Sequence, residues 1–134
     1  NRQQKPPSAL IGVPICLHAG LKYDYDGAAF IKRVLGLAEL PAMRPGVIFA
    51  VTTIVGYVEK GTDACARAGE KVLASSPELL TLADSPWFFG PYGYAVPFTH
   101  ALERPVPARG MQGWWPVPPE AEARVREQLP KGYQ

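Results

Sequence analysis

The chain is poor in the residues that build metal centres and covalent cross-links. Among its 134 residues there are two cysteines, Cys16 and Cys65, and two histidines, His18 and His100. No C-x-x-C or H-x-x-x-H spacing is present, so neither a metal nor another cofactor is expected. Cys16 lies in an apolar, strand-like stretch and Cys65 in a helical one, which predicts free buried thiols rather than a disulfide. Phosphate-cradling loops of the G-x-x-x-x-G-K-S/T and G-x-G-x-x-G types are missing, as is a G-x-S-x-G nucleophile elbow. That argues against the common nucleotide-hydrolysing and α/β-hydrolase classes. The sequence has no signal-peptide pattern and no apolar run of 18 residues, so a cytoplasmic protein without a membrane partner is expected. Charge of one sign is not in excess either: 14 Lys and Arg oppose 12 Asp and Glu, a net +2. Any binding of nucleic acid must therefore come from a few local cations. The length fits one domain, residues 1–134, able to bury about two-thirds of its unfolded surface.

What the chain does have is a concentration of aromatics, Gly and Pro between Ser85 and Trp115. This stretch holds all three tryptophans, three of the five phenylalanines and two of the six tyrosines. Trp87-Phe88-Phe89 leads into a Gly90-Pro91 turn. Alternation then predicts a strand from about Tyr92 to Leu102, with Tyr92, Tyr94, Val96, Phe98, His100 and Leu102 on one face. Gly93, Ala95, Pro97, Thr99 and Ala101 form the other face. Small residues there suit the close approach of a neighbouring group, and Pro97 marks an edge or a bulge. Pro105-Val106-Pro107 is extended, and Arg109-Gly110 turns into a short strand over Gly113 to Val117.

Upstream, the polar arm 1–9 precedes a strand over Leu10 to Ala19. Asp26 is placed to cap a helix over about Gly27 to Leu37, with Phe30, Ile31, Val34 and Leu35 as its apolar stripe. Gly46 to Val58 is apolar on both faces, the pattern of a central, doubly covered strand. It is expected to pair with one or both of the strands near 11–19 and 92–102. A helix capped by Thr62 or Asp63 should reach about Ala74. Ser76-Pro77-Glu78 starts a second short helix, and Pro119 starts an amphipathic one over Glu120 to Leu129.

These pieces add up to a resemblance. SPWFFGPYGY followed by PVPARGMQGWW is similar to the C-terminal half of the ASCH domain, a small barrel of the PUA-like superfamily. Leu10-Ile11-Gly12 with Ile15-Cys16-Leu17-His18-Ala19-Gly20 looks like the family's apolar strand ending in a His-Ala pair. Pro45 to Val51 looks like its central strand. The resemblance covers most of residues 10–117. It implies an α+β fold: a PUA-like barrel of five or six mostly antiparallel strands with three or four peripheral helices. ASCH domains usually open with a Gly-x-Lys-x-x-Glu-x-Arg type motif. Asn1-Arg2 is then expected to be the tail of that motif, continuing an element whose Gly, Lys and Glu have no counterpart in the chain.

The resemblance also implies a cleft near His18, Tyr92 and Arg109. Cations for phosphate and tyrosines for base stacking are what single-stranded RNA or a modified nucleoside requires. The residues expected to bind are Arg2, His18, Lys22, Tyr23, Tyr92 and Arg109. Taken singly, each aromatic reads as core before it reads as platform, and His18 as a strand-end histidine bonding a neighbouring loop. His100 reads as structural. Trp114 and Trp115 are adjacent, so one should be buried and the other at least partly exposed. Some ASCH relatives are described as acylated-cytidine amidohydrolases and others as ribonucleases. Such chemistry would draw on a lysine and a carboxylate, for which Lys22 and Glu59 are the best candidates. A third class is a protein-interaction module in transcription regulation, using the aromatic surface on a protein partner.

Overall fold

The computed structural model of the chain describes residues 1–62 and 65–131. It is an α+β arrangement with one antiparallel sheet of three strands and one of two. Two compact units are present, Asn1–Ile15 with Val51–His100, and Cys16–Ala50 with Ala101–Gln134.

The three-stranded sheet is built on the run of β-branched and small apolar residues at 47–53. Strand β1 is Pro14–Ala19, β2 is Val47–Thr53, and β5 is His100–Pro107, ordered β1-β2-β5. The ends of these strands run on into the first unit. Gly46, just before β2, donates its N–H to the Ala19 carbonyl at 2.7 Å, and its carbonyl accepts from Ala108 N–H at 3.1 Å. The start of β2 thus meets the ends of both neighbours, so both run antiparallel to it. Val47, Ile48, Ala50 and Val51 are all buried, with Ile48 wholly inaccessible. This is the doubly covered central strand that the apolar pattern predicts.

Helix α1, Tyr25–Leu35, carries no buried residue. The expected stripe of Phe30, Ile31, Val34 and Leu35 is half-buried or exposed. Its cap is Asp24 rather than Asp26: the Asp24 carboxylate accepts the Gly27 N–H at 2.9 Å. Asp26 lies two residues further on, inside the first turn, and instead places its charge near the helix N-terminus. Gly36 ends the helix in the left-handed conformation, φ 67°, which a Cβ would disfavour. Helix α3, Pro119–Arg126, buries Ala121 and Val125, the thin apolar face read from the sequence. Beyond it, the Gln128 amide accepts from Arg104 N–H at 2.9 Å and donates to Arg104 O at 2.8 Å. One side chain thereby satisfies both backbone groups of a β5 residue.

In the first unit, β3 (Gly56–Glu59) pairs antiparallel with β4 (Tyr92–Ala95), with Val58 opposite Gly93 and Glu59 opposite Tyr92. The predicted strand over Gly46 to Val58 is therefore two strands, separated at Ile54 and Val55. The predicted strand over Tyr92 to Leu102 also divides, at Val96 to Thr99 around Pro97. Pro97 lacks the N–H that a continuous ladder would use. Gly113 to Val117 is not a strand, and the chain there is irregular. Residues 8–10 form a single 3-10 turn, so β1 starts later than the expected Leu10.

Helix α2 spans only Glu70–Ser75, and Pro77–Asp84 is a 3-10 helix. The expected start at Thr62 fails because Ala66 pairs with Tyr57 and Cys65 to Gly69 is not helical. The alternative cap, Asp63, lies outside the described residues. Val55, Leu79 and Ala95 form a core on which Cys65, Val72, Leu73 and Leu82 pack. The small-residue face of β4 does receive a close neighbour: a Cβ on Gly93 would lie 2.7 Å from Phe88 Cδ1. Thr52 is fully buried, with its Oγ1 2.7 Å from Thr99 Oγ1. Since Thr99 donates to the Val96 carbonyl at 3.0 Å, Thr52 is the donor in the pair. Among the described residues no helix is long and apolar enough to cross a membrane.

Candidate nucleic-acid interface

Four of the six residues expected to bind belong to the second unit. His18, near the end of β1, has Nε2 2.7 Å from the Ala108 carbonyl oxygen. A carbonyl only accepts, so the ring N–H donates and the proton sits on Nε2. The same ring stands edge-on to Trp115, with centroids 5.4 Å apart. A Cβ on Gly110 would come 2.6 Å from His18 Cε1, so only glycine fits beneath the imidazole. His18 thus holds both residues that flank the exposed Arg109. The histidine acts as a loop anchor, the plainer of its two sequence readings. Trp115 is half-buried on it, while Trp114 is 48% exposed. Trp114 is exposed as expected for one of the pair, but neither tryptophan is fully buried, and no strand alternation divides them.

Lys22 and Tyr23 lie in the loop between β1 and α1. With Asp24, Tyr25 and Asp26 they line an open hollow of about 430 Å³. The Tyr23 and Tyr25 rings meet edge-to-face at 4.8 Å, and they are 50% and 78% exposed. The single cation, Lys22, faces two carboxylates, one of which is engaged in capping α1. Such a hollow suits an aromatic ring better than a run of phosphates.

The other two expected residues, Arg2 and Tyr92, lie in the first unit with Glu59. Arg2 donates its N–H to Tyr92 O at 2.7 Å and accepts the Tyr92 N–H at 3.1 Å, adding a bridge at the edge of β4. The Tyr92 ring is half-buried and edge-on to Tyr57, with centroids 6.3 Å apart, so it serves the sheet more than a ligand. Glu59 is exposed, and its carbonyl accepts the Thr62 N–H and hydroxyl in a turn. Among the described residues neither Lys22 nor Glu59 makes an ion pair.

Asn1 escapes sequence reasoning altogether. Its amide donates to Trp87 O at 2.7 Å and accepts from Phe89 N–H at 2.9 Å and Gly90 N–H at 3.1 Å. The only available signal was the adjacency of three aromatics before a Gly-Pro turn. Tyr94 donates its hydroxyl to Gln4 O at 2.8 Å, and burial pushes the phenol up, with Arg2 opposing.

Both cysteines are free and half-buried rather than fully buried. Burial raises each thiol; at Cys16 the Glu122 charge raises it further and Arg126 opposes. Among the described residues no group of three or more His, Cys, Asp or Glu converges on a metal-sized site. Comparison of the chain with protein-family models, with curated proteins and with solved structures finds no match.

Proposed function

We propose that the protein is an ASCH-like domain that binds single-stranded RNA or a modified nucleoside. The observation that carries this reading is the hollow at 22–26, where two exposed tyrosines stand beside one lysine. Tyrosine faces stack on any base, and one nearby cation suffices for a single phosphate. The finer fold assignment, a PUA-like small barrel, is part of the same proposal and rests on the sequence resemblance. A cytoplasmic location belongs with it.

The net charge of +2 leaves little global field. Affinity then falls in the micromolar range, and the salt dependence is shallow, on the order of one phosphate. Fluorescence anisotropy with labelled RNA oligomers at about 50 mM salt, beside calorimetry with nucleosides, tests the reading. Lys22→Ala should weaken RNA binding and flatten the salt slope. Tyr23→Ala should weaken binding by roughly 1 kcal/mol or more and leave the slope unchanged. If neither RNA nor nucleosides bind, the nucleic-acid reading is wrong and a protein partner takes its place.

A further inference from the structure

We infer that the hollow at 22–26 takes a positively charged base, one alkylated on a ring nitrogen, in preference to its neutral parent. The inference rests on the nucleic-acid reading above and names the class of modified base within it. The charges that line the hollow are uneven: Lys22 brings +1 and Asp24 with Asp26 bring −2, a net −1. The N-terminus of α1 offsets about half a charge, which leaves the hollow negative by about half a charge. No guanidinium lines it. A ligand made of phosphates alone would meet net repulsion there. A cationic base with one anionic phosphate matches two carboxylates and one ammonium. Among the described residues the Asp26 carboxylate, the Lys22 ammonium and the Tyr23 and Tyr25 hydroxyls have no hydrogen-bond or ion-pair partner. All four are open to a ligand.

The rings add a second argument. Tyr23 and Tyr25 are inclined at 68° with centroids 4.8 Å apart. Rings at that angle cannot sandwich a base between parallel faces. A base can stack on one of them with its edge toward the other. Two-sided stacking would reward any base alike, whereas one-sided stacking leaves charge a larger share of the affinity. An aromatic face is the negative side of the ring quadrupole, so it attracts a cation more than a neutral ring of the same shape. The corner is also ordered before a ligand arrives. Tyr25 and Asp26 are the first two residues of α1, and the Asp24 carboxylate that caps the helix accepts the Gly27 N–H at 2.9 Å. Little ordering cost is then left for binding. Lys22, at the start of the segment, remains for the phosphate of the same nucleotide.

The test is calorimetry on the full chain with 7-methylguanosine against guanosine and 1-methyladenosine against adenosine, in mildly acid buffer where both methylated bases are cations. The ring faces should favour the cation about two- to fivefold and the unpaired carboxylate about twofold more, so a preference of about four- to tenfold is expected. Asp26→Asn keeps the shape and removes the charge. It should lower the affinity for each methylated nucleoside about twofold and leave that for guanosine and adenosine unchanged. Replacing both tyrosines, Tyr23→Leu with Tyr25→Leu, keeps apolar area without the quadrupole and should remove the remaining two- to fivefold preference, to about one. Lys22→Ala should strengthen binding of 7-methylguanosine by removing a like charge, yet weaken binding of its 5′-monophosphate by removing the partner of the phosphate. Equal affinities for methylated and unmethylated nucleosides, or RNA that binds while no nucleoside does, overturn this inference and leave the broader reading standing. No binding of any nucleoside or of RNA overturns both, and a trimethyllysine peptide that then binds the parent but not Asp26→Asn assigns the hollow to a protein partner.

Discussion

Gly110→Ala isolates the packing that holds the loop around Arg109. The added Cβ would sit 2.6 Å from His18 Cε1 and 2.8 Å from Nδ1. Those distances lie well inside van der Waals contact, so the ring or the loop must move. The imidazole has little freedom to yield, because Nε2 bonds Ala108 O at 2.7 Å and the ring packs in a T-shaped contact with Trp115. Overpacking of this kind costs roughly 1–3 kcal/mol. Losing the hydrogen bond adds about 1 kcal/mol. Against this, replacing glycine by alanine restricts the unfolded chain and returns about 0.4–1 kcal/mol. The destabilising terms win, by about 1–3 kcal/mol. For a chain of this length each kcal/mol moves the melting temperature by about 3–4 °C, so a drop of roughly 3–12 °C is expected. Scanning calorimetry on the four proteins of a double-mutant cycle with His18→Ala is the assay. Without the imidazole, the Gly110→Ala penalty should vanish. An equal penalty in both backgrounds would refute the steric argument.

Thr99→Val should cost about 1–3 kcal/mol, because it strands the hydroxyl of the fully buried Thr52, whereas Thr52→Val should cost less than about 1 kcal/mol. Urea midpoints in the reverse order would contradict the donor assignment. Glu122→Gln breaks an exposed pair with Arg126 at 2.8 Å, and should change stability by only about 0.3–0.5 kcal/mol. It also removes a charge that raises the Cys16 thiol, so alkylation of Cys16 should quicken while that of Cys65 does not change. Because both thiols are raised in the folded state, their contribution is full below the unfolded thiol pKa and lost as pH climbs past about 8.5. Denaturant midpoints should therefore fall between pH 8.5 and 10, and fall less in the Cys16→Ala, Cys65→Ala double variant. Equal slopes in the two proteins would rule this out.

The sequence by itself determined the features that depend on local burial and local backbone chemistry. Val47 to Val51 is apolar on both faces, and β2 is covered on both. Ser76-Pro77 and Pro119 open a 3-10 helix and α3, because proline suits the first helical turn, where its missing N–H would have no intrahelical partner. Pro97 marked an interruption, though not that the segments before and after it join different sheets. Tertiary structure alone decided where pairing changes hands. Around Ile54-Val55 only Thr52 and Thr53 interrupt the apolar run, and they do not tell that β2 lies between β1 and β5 while β3 turns to β4. The cap of α1 is Asp24 and not the expected Asp26, decided by which carboxylate reaches the Gly27 N–H. Of the candidate site, Lys22 and Tyr23 were legible because their hollow is formed by five consecutive residues. Asn1 was not, because a polar side chain shows its role only through the backbone groups it meets, and those lie 86 to 89 residues away. Periodicity records which residues avoid water; which donor finds which acceptor is settled only when distant segments come together.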